Sequence, residues 1–177
     1  MKRYSFLICY LFVFIFFVNS QAKPFIGYDK VAWGVSVDEV RKIYNIGSEL
    51  ETSAFDGPGV TSLVQEKPSD NPSIRDRTFR FYQSKLYQVK ISYNASDEKT
   101  FDTIRKLLTD RYGQPTKSYS EMYAQIATTV KHTIFAKFSP DIDVDLQYSD
   151  LNFGAIKYIT VLYTWTKLED EQKGLKL

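Results

Sequence analysis

The chain has 177 residues, 25% of them charged, and its formal net charge at pH 7 is only +2. This balance excludes the general electrostatic attraction by which strongly basic proteins hold nucleic acid or anionic lipid, so we predict neither partner. One histidine and one cysteine also exclude multi-histidine metal sites and disulfide-rich folds.

The first 22 residues have the pattern of an export signal. Lys2 and Arg3 precede an uncharged apolar run over 6–18, and Ser20 and Ala22 then place small side chains at the positions that signal peptidase requires. We therefore predict a signal peptide over 1–22, cleaved after Ala22. The alternative, an uncleaved anchor, is disfavoured because the run is shorter than the roughly 20 apolar residues of a spanning helix.

The predicted mature chain is neutral and free of cysteine. Cys9 lies within the apolar run rather than at its end, which disfavours a lipid anchor. The chain has 23 basic and 21 acidic residues, so removal of Lys2 and Arg3 with the signal leaves equal numbers of both. Small secreted domains without disulfides are typical of bacterial envelopes. We expect an exported protein, periplasmic or secreted, that meets a membrane only through its transient signal peptide.

One domain is expected over 23–166. The sequence Ser36-Val37-Asp38-Glu39 is a capping box that begins a first helix, with an apolar face of Val37, Val40, Ile43 and Tyr44 and an end near Asn45 and Gly47. The segment 47–74 then contains a turn at 56–59, a possible strand over 60–65 and an exposed loop at 67–73.

A β-hairpin and a second helix follow. Alternating apolar residues predict strands over 78–82 and 86–93, joined by a turn at Gln83-Ser84-Lys85. The second helix begins near Ser96-Asp97-Glu98 and ends at Gly113 and Pro115. Its predicted apolar face consists of Phe101, Ile104, Leu107, Leu108 and Tyr112.

The last part of the chain returns to strand patterns at 129–138, 142–148 and 156–165, and 167–177 is expected to be a polar C-terminal tail. The fold class is therefore α+β, an antiparallel sheet with two helices packed on one face. The similar segments 40–44 and 104–108 leave open whether the domain consists of two degenerate helix-then-strands halves.

Three segments carry a resemblance to small exported bacterial proteins of unknown function: Trp33-Gly34-Val35-Ser36-Val37-Asp38-Glu39-Val40, Lys85-Leu86-Tyr87-Gln88-Val89 and Arg111-Tyr112-Gly113-Gln114-Pro115. The layout is also similar to the fold shared by the outer-membrane assembly lipoprotein and the β-lactamase inhibitor protein, although the chain lacks the former's lipid-bearing cysteine. The resemblance implies an envelope protein and transfers no catalytic residue.

Two groups of residues are candidates for chemistry. Asp141, Asp143 and Asp145 alternate along a strand, so they can hold a hard cation such as Ca²⁺ or form a charged, solvated face. His132 falls on the apolar side of its predicted strand and has no nucleophile elbow to partner it, which favours a packed histidine.

A second set of residues is suited to ligand binding. Arg75, Arg77 and Arg80 form a local basic cluster that can meet an acidic ligand, although charges beside strands are commonly just solvated. The aromatic residues exceed what one core face can hold, which favours exposed rings at Tyr148 and Trp165, suited to protein or glycan recognition. Packing of the rings across strand pairs is the alternative.

These patterns predict a non-catalytic envelope protein that acts as a binding or interaction module for another protein or for a cell-envelope ligand. We predict no cofactor. The alternative is a periplasmic hydrolase that depends on the three aspartates or on a metal bound to them.

Overall fold

The computed structural model describes residues 27–46, 58–123, 128–135, 141–151 and 156–174. A two-stranded ribbon, β1 (Gly27–Tyr28) and β2 (Val31–Ala32), leads into helix α1 (Val37–Tyr44). Strands β3 (Val60–Glu66), β4 (Ile74–Tyr82) and β5 (Lys85–Tyr93) precede helix α2 (Glu98–Tyr112). Strands β6 (Lys117–Tyr123), β7 (Thr128–Ile134), β8 (Ile142–Leu151) and β9 (Ile156–Trp165) are followed by helix α3 (Thr166–Gly174).

Within the described ranges, seven strands form one antiparallel sheet in the order β3-β4-β5-β9-β8-β7-β6. Two meanders, β3 to β5 and β6 to β9, are joined where β5 pairs with β9, with Val89 opposite Tyr163 and Ile91 opposite Val161. The predicted α+β class with an antiparallel sheet is thus confirmed. The question of two degenerate halves, which the sequence left open, is not decided by this topology.

Helices α1 and α2 cover the same face of the sheet, which we call the core face. Val40 and Tyr44 of α1 and Ile104 and Leu108 of α2 are buried in one cluster with sheet residues that include Leu63, Phe79, Val89, Val144, Leu146 and Val161. Burying these apolar side chains is worth about 1.5–3 kcal/mol each, which makes this layer the main source of stability.

The caps of both helices follow from the local sequence. Ser36 and Glu39 form the predicted capping box, and Asn45 ends α1 in the left-handed conformation, with φ 50°. In α2, Asp97 accepts from the Thr100 amide and Gly113 follows the last turn with φ 82°. The predicted apolar faces are wrong at one residue each, because Ile43 and Leu107 are exposed at the rims of the helices.

The C-terminal segment differs from the predicted polar tail. Residues 166–174 form α3, which contacts β4, β5, β8 and β9. Leu168 packs with Val60, Tyr82 and Tyr87 in a second cluster. This cluster lies on the opposite side of the sheet from α1 and α2, which we call the far face. The two predicted helices thus share one face as expected, and α3 is an additional helix on the other face.

Candidate functional site

A cavity of about 290 Å³ opens on the core face between the β1–β2 ribbon and the C-terminal end of α2. Four tyrosines from four different elements line it: Tyr28 of β1, Tyr93 of β5, Tyr112 of α2 and Tyr163 of β9. We call this cavity, with Arg77 at its base, the tyrosine pocket. Its position follows from the short α1 and from the end of α2 at Gly113, since neither helix covers this part of the sheet.

The rings of three of these tyrosines pack on one another. The centroids of Tyr28 and Tyr163 are 5.1 Å apart with planes tilted by 53°. Tyr112 meets Tyr163 edge to face at 6.5 Å and 64°. Tilted aromatic pairs of this kind are favourable beyond their buried area, so the three rings form one packed wall of the pocket.

The phenols of the pocket are uncharged at neutral pH, and burial raises each pKa above its ordinary value. Burial raises the pKa of Tyr28 to about 12, even though the cationic Arg77 opposes the shift. Burial also raises the pKa of Tyr93 and Tyr112, and it raises that of Tyr163 well above its ordinary value with help from neighbouring tyrosines. Neutral phenols can both donate and accept hydrogen bonds, which suits them to ligand hydroxyl and carbonyl groups.

Arg77 is the buried cation of the pocket, and its side chain is only 5% exposed. Its two terminal nitrogens donate to the two carboxylate oxygens of Asp70, at 2.9 and 2.6 Å, and one of them also donates to Gln65 at 3.1 Å. The guanidinium lies over the Tyr44 ring, 5.6 Å from its centroid. These contacts fix the arginine in place, because a bidentate pair constrains both distance and direction.

The charges that line the pocket cancel. Asp29 and Asp70 oppose Arg77 and Arg111, and Asn71 adds an uncharged amide. Arg111 is exposed, with its guanidinium 5.3 Å from the Tyr112 ring centroid. A lining that is polar, aromatic and neutral in sum suits an uncharged polar ligand better than an anion or a cation.

The three arginines of the predicted basic cluster are not brought together. Arg77 lies on the core face, whereas Arg80 lies on the far face and donates to Gln88 at 2.8 Å. Arg75 is exposed, bonds Asp76 at 2.9 Å and lies 5.3 Å from the Tyr158 ring centroid. Of the three, only Arg77 lines the pocket. Arg80 projects to the opposite face because strand residues alternate, and Arg75 lies at a register shift of β4 between Ile74 and Asp76.

Tyr148 and Trp165 also lie outside the tyrosine pocket. Tyr148 is buried on the core face, 4% exposed, with its ring edge to face with Phe101 at 5.5 Å. It borders a separate cavity of about 460 Å³ between α2 and strands β6 to β8. Trp165 is partly buried against the cluster under α3. The prediction of exposed rings is therefore wrong for Tyr148, which packs as the alternative reading expected.

The three predicted aspartates are not equivalent. Asp143 and Asp145 lie on the far face, whereas Asp141 precedes β8. The Oδ2 atom of Asp145 is 2.8 Å from the Nδ1 atom of His132 and accepts from Gln147 at 2.7 Å. Burial, then repulsion by Glu169 and Asp145, raises the pKa of Asp143. Across the described ranges, no three His, Cys, Asp or Glu side chains are grouped to hold a metal ion.

His132 lies on the far face and not with the main core as its apolar neighbours in sequence suggested. It is 9% exposed because its ring stacks on Tyr119, with centroids 4.6 Å apart and planes 6° from parallel. Its Nε2 atom is 3.9 Å from Glu121. The prediction of a packed histidine holds for a different reason, since the packing partner is an edge-strand tyrosine.

Apart from Arg77, the charged and aromatic residues of the pocket were missed as site candidates: Tyr28, Asp29, Asp70, Tyr93, Arg111, Tyr112 and Tyr163. They come from separate strands, a loop and a helix end, whose relative positions depend on long-range pairing. One feature of the sequence could have indicated the site: Asp70 and Asn71 lie in a loop just before a strand that contains three arginines. Polar loop residues commonly carry function.

Comparison with protein-family models, with curated proteins and with solved structures finds no match to this chain. None of the described helices is both long enough and apolar enough to cross a membrane. The geometry of the tyrosine pocket is therefore the main guide to function.

Proposed function

We propose that the protein is an exported, non-catalytic binding module of a bacterial envelope, and that its tyrosine pocket binds an uncharged carbohydrate group of a cell-envelope ligand. The observation that carries the proposal is that four uncharged tyrosines, two carboxylates and two guanidinium groups line one cavity of about 290 Å³. The signal pattern over 1–22 supports the envelope address.

The chemistry of a sugar matches this lining. Sugar rings present apolar C–H faces that pack on aromatic rings, and their hydroxyl groups pair with planar polar side chains. The pocket supplies Tyr28 and Tyr93, which are partly exposed, together with the carboxylates of Asp29 and Asp70. Tyrosine provides such contact area at a low cost in conformational entropy, which favours recognition by a preformed pocket.

The bidentate ion pair of Arg77 with Asp70 also favours an uncharged ligand. Its guanidinium is already neutralised by Asp70, whose pKa is lowered by this hydrogen bond. An anionic ligand would have to displace Asp70 from a bidentate contact or rely on Arg111 alone. A neutral ligand needs no such displacement.

The test is ligand-detected NMR and calorimetric titration of the mature chain. The probes are a neutral disaccharide of N-acetylglucosamine and a disaccharide in which one ring is a uronic acid. We expect the neutral probe to bind and the acidic probe to bind at least about five-fold more weakly, the discrimination expected from one displaced polar contact.

Two arginines of α2 provide matched variants. Arg111→Ala removes a side chain of the pocket, and Arg105→Ala removes an arginine that is also exposed but whose partner is Asp102, outside the pocket. Arg111→Ala is expected to weaken the neutral probe and Arg105→Ala to leave it unchanged. Equal effects of the two variants, tighter binding of the acidic probe, or no binding of the neutral probe would each overturn the proposal.

A further inference from the structure

Strand β6 forms an edge of the sheet. Among the strands that the structure describes, it pairs with β7 and with no other strand. All but one of its seven residues are exposed, including Met122 at 78%. An edge strand presents unpaired N–H and C=O groups that can pair with a further strand.

The sequence of this edge is a palindrome except at its two ends, which carry opposite charges. Lys117-Ser118-Tyr119-Ser120-Glu121 reads the same in both directions, except that a cation stands at one end and an anion at the other. A two-fold axis through Tyr119 of an antiparallel pair places Lys117 of each copy opposite Glu121 of the other. It also places each Ser118 opposite a Ser120, and the two Tyr119 rings opposite each other.

The side chains needed for this pairing lie on one face. Residues 117, 119 and 121 alternate along the strand and therefore share the far face. The Tyr119 ring is stacked on His132, which Asp145 holds at 2.8 Å, and the Lys117 Nζ atom is 4.4 Å from the Tyr119 ring centroid. Glu121 accepts from the Tyr123 hydroxyl at 2.6 Å and remains exposed. The charged groups are thus already ordered beside the free edge.

The opposite edge of the sheet lacks this complementarity. Strand β3 reads Val60-Thr61-Ser62-Leu63-Val64-Gln65-Glu66. A two-fold axis through Leu63 opposes Val60 to Glu66 and joins no opposite charges. Charge complementarity therefore selects β6.

We propose that β6 is a self-association edge, through which two copies of the chain form a two-fold dimer by antiparallel pairing of β6 around Tyr119. The occupant of the edge is a second copy of this chain, and its charged ends decide the register. The two sheets then continue into each other, which removes one exposed edge from each copy.

The first test is the dimer dissociation constant of the mature chain, measured by sedimentation over a range of protein concentrations. Lys117→Glu and Glu121→Lys each place like charges opposite each other twice and are expected to raise the constant about ten-fold or more. The double variant K117E/E121K restores both opposite-charge pairs and is expected to dimerise like the natural chain. A monomer at every concentration, or a double variant as weak as the singles, would overturn the proposal.

The second test fixes the register through disulfides. The predicted mature chain has no cysteine, so Ser118→Cys and Ser120→Cys introduce single thiols by mild substitutions. In the proposed register Ser118 faces Ser120 of the second copy, at a spacing that a disulfide bridges. A mixture of the two variants is therefore expected to cross-link faster than either alone. Faster cross-linking of Ser120→Cys alone would place the axis at Ser120 and refute the Lys117–Glu121 pairing.

Discussion

The carboxylate of Asp70 holds the guanidinium of Arg77 at two points, with nitrogen–oxygen distances of 2.9 and 2.6 Å. One partner is exposed in the loop between β3 and β4, and the other is buried at the base of the tyrosine pocket. This contact connects the loop to the pocket, so its loss affects stability and pocket shape together.

Replacement of the exposed partner measures this contact. Asp70→Asn is expected to lower the free energy of unfolding at neutral pH by about 1–2 kcal/mol, because the buried Arg77 loses its anion while solvent screens part of the effect. The folded pKa of Asp70 is lowered from 3.8, so its contribution is present above that value and is lost as pH falls through the lowered pKa. Urea unfolding at neutral pH and at about pH 3 should therefore show a smaller stability difference between Asp70→Asn and the natural chain at the lower pH.

Asp102 provides the control. Its carboxylate pairs with Arg105 at 3.0 Å, and both side chains are more than half exposed. Asp102→Asn is expected to change stability by less than about 0.5 kcal/mol. Equal losses in both variants would contradict a special role for the Asp70–Arg77 pair.

Asp143 is expected to behave in the opposite way. Burial, together with Glu169 and Asp145, raises its pKa from 3.8, so the folded chain holds this proton more tightly than the unfolded chain. The loss of folding stability caused by the ionised Asp143 is fully present above its raised pKa. It disappears as the pH falls through that pKa towards 3.8, the value in the unfolded chain. Asp143→Asn should thus stabilise the protein by about 0.5 kcal/mol at neutral pH and have no effect in acid.

Thermal unfolding at the two pH values checks this prediction. Glu171→Gln on α3 also removes one negative charge, but from an exposed residue, and should leave the melting temperature nearly unchanged. A loss of stability in Asp143→Asn at neutral pH would show that the charge of Asp143 is favourable.

Metal titration addresses the hydrolase alternative. Millimolar Ca²⁺ or Mn²⁺ is expected to shift the melting temperature by less than about 1 °C, since a ligand that binds only the folded state must stabilise it. The reason is that Asp145 is already hydrogen-bonded to His132 and Gln147 while Asp141 lies before the strand. If either metal raises the melting temperature of the natural chain and Asp143→Asn abolishes this rise, the result would instead support a metal site.

Gly34 is expected to resist substitution. Its φ is +82°, and an added Cβ would lie 3.4 Å from the Trp165 ring, so Gly34→Ala should cost about 1 kcal/mol or more. Gly174 has open space around it and ends α3. Gly174→Ala should therefore be neutral or slightly stabilising in the same urea titration, and a comparable loss there would argue against strain at Gly34.

The predicted signal peptide over 1–22 can be tested by identifying the N-terminus of the expressed protein. When the full chain is expressed in bacterial cells, mass spectrometry of the purified protein is expected to find Lys23 at the N-terminus, since Ser20 and Ala22 match the signal peptidase requirement. Ala22→Arg should block cleavage and give a larger membrane-bound product. A chain from the natural sequence that still begins at Met1 would refute the predicted signal peptide.

Local elements were predicted well because their determinants lie close together in the chain. The capping box at Ser36, the glycine end of α2 and the alternation in β5 each depend on residues within a few positions of one another. The apolar faces of the helices were predicted nearly as well. Their errors, Ile43 and Leu107, lie where periodicity cannot show how far the sheet extends beneath a helix.

The sequence by itself determined the α+β class, the helix ends and most of the strands, since these follow from short-range periodicity and turn chemistry. Only the tertiary structure decided the site. Pairing of β5 with β9 brings Tyr93 and Tyr163 to the same cavity on the core face, and the end of α2 adds Tyr112. Tyr163 and Tyr28 are far apart in sequence but 5.1 Å apart in space. Strand order and helix placement depend on the free energy of the whole packed layer, which no local pattern contains.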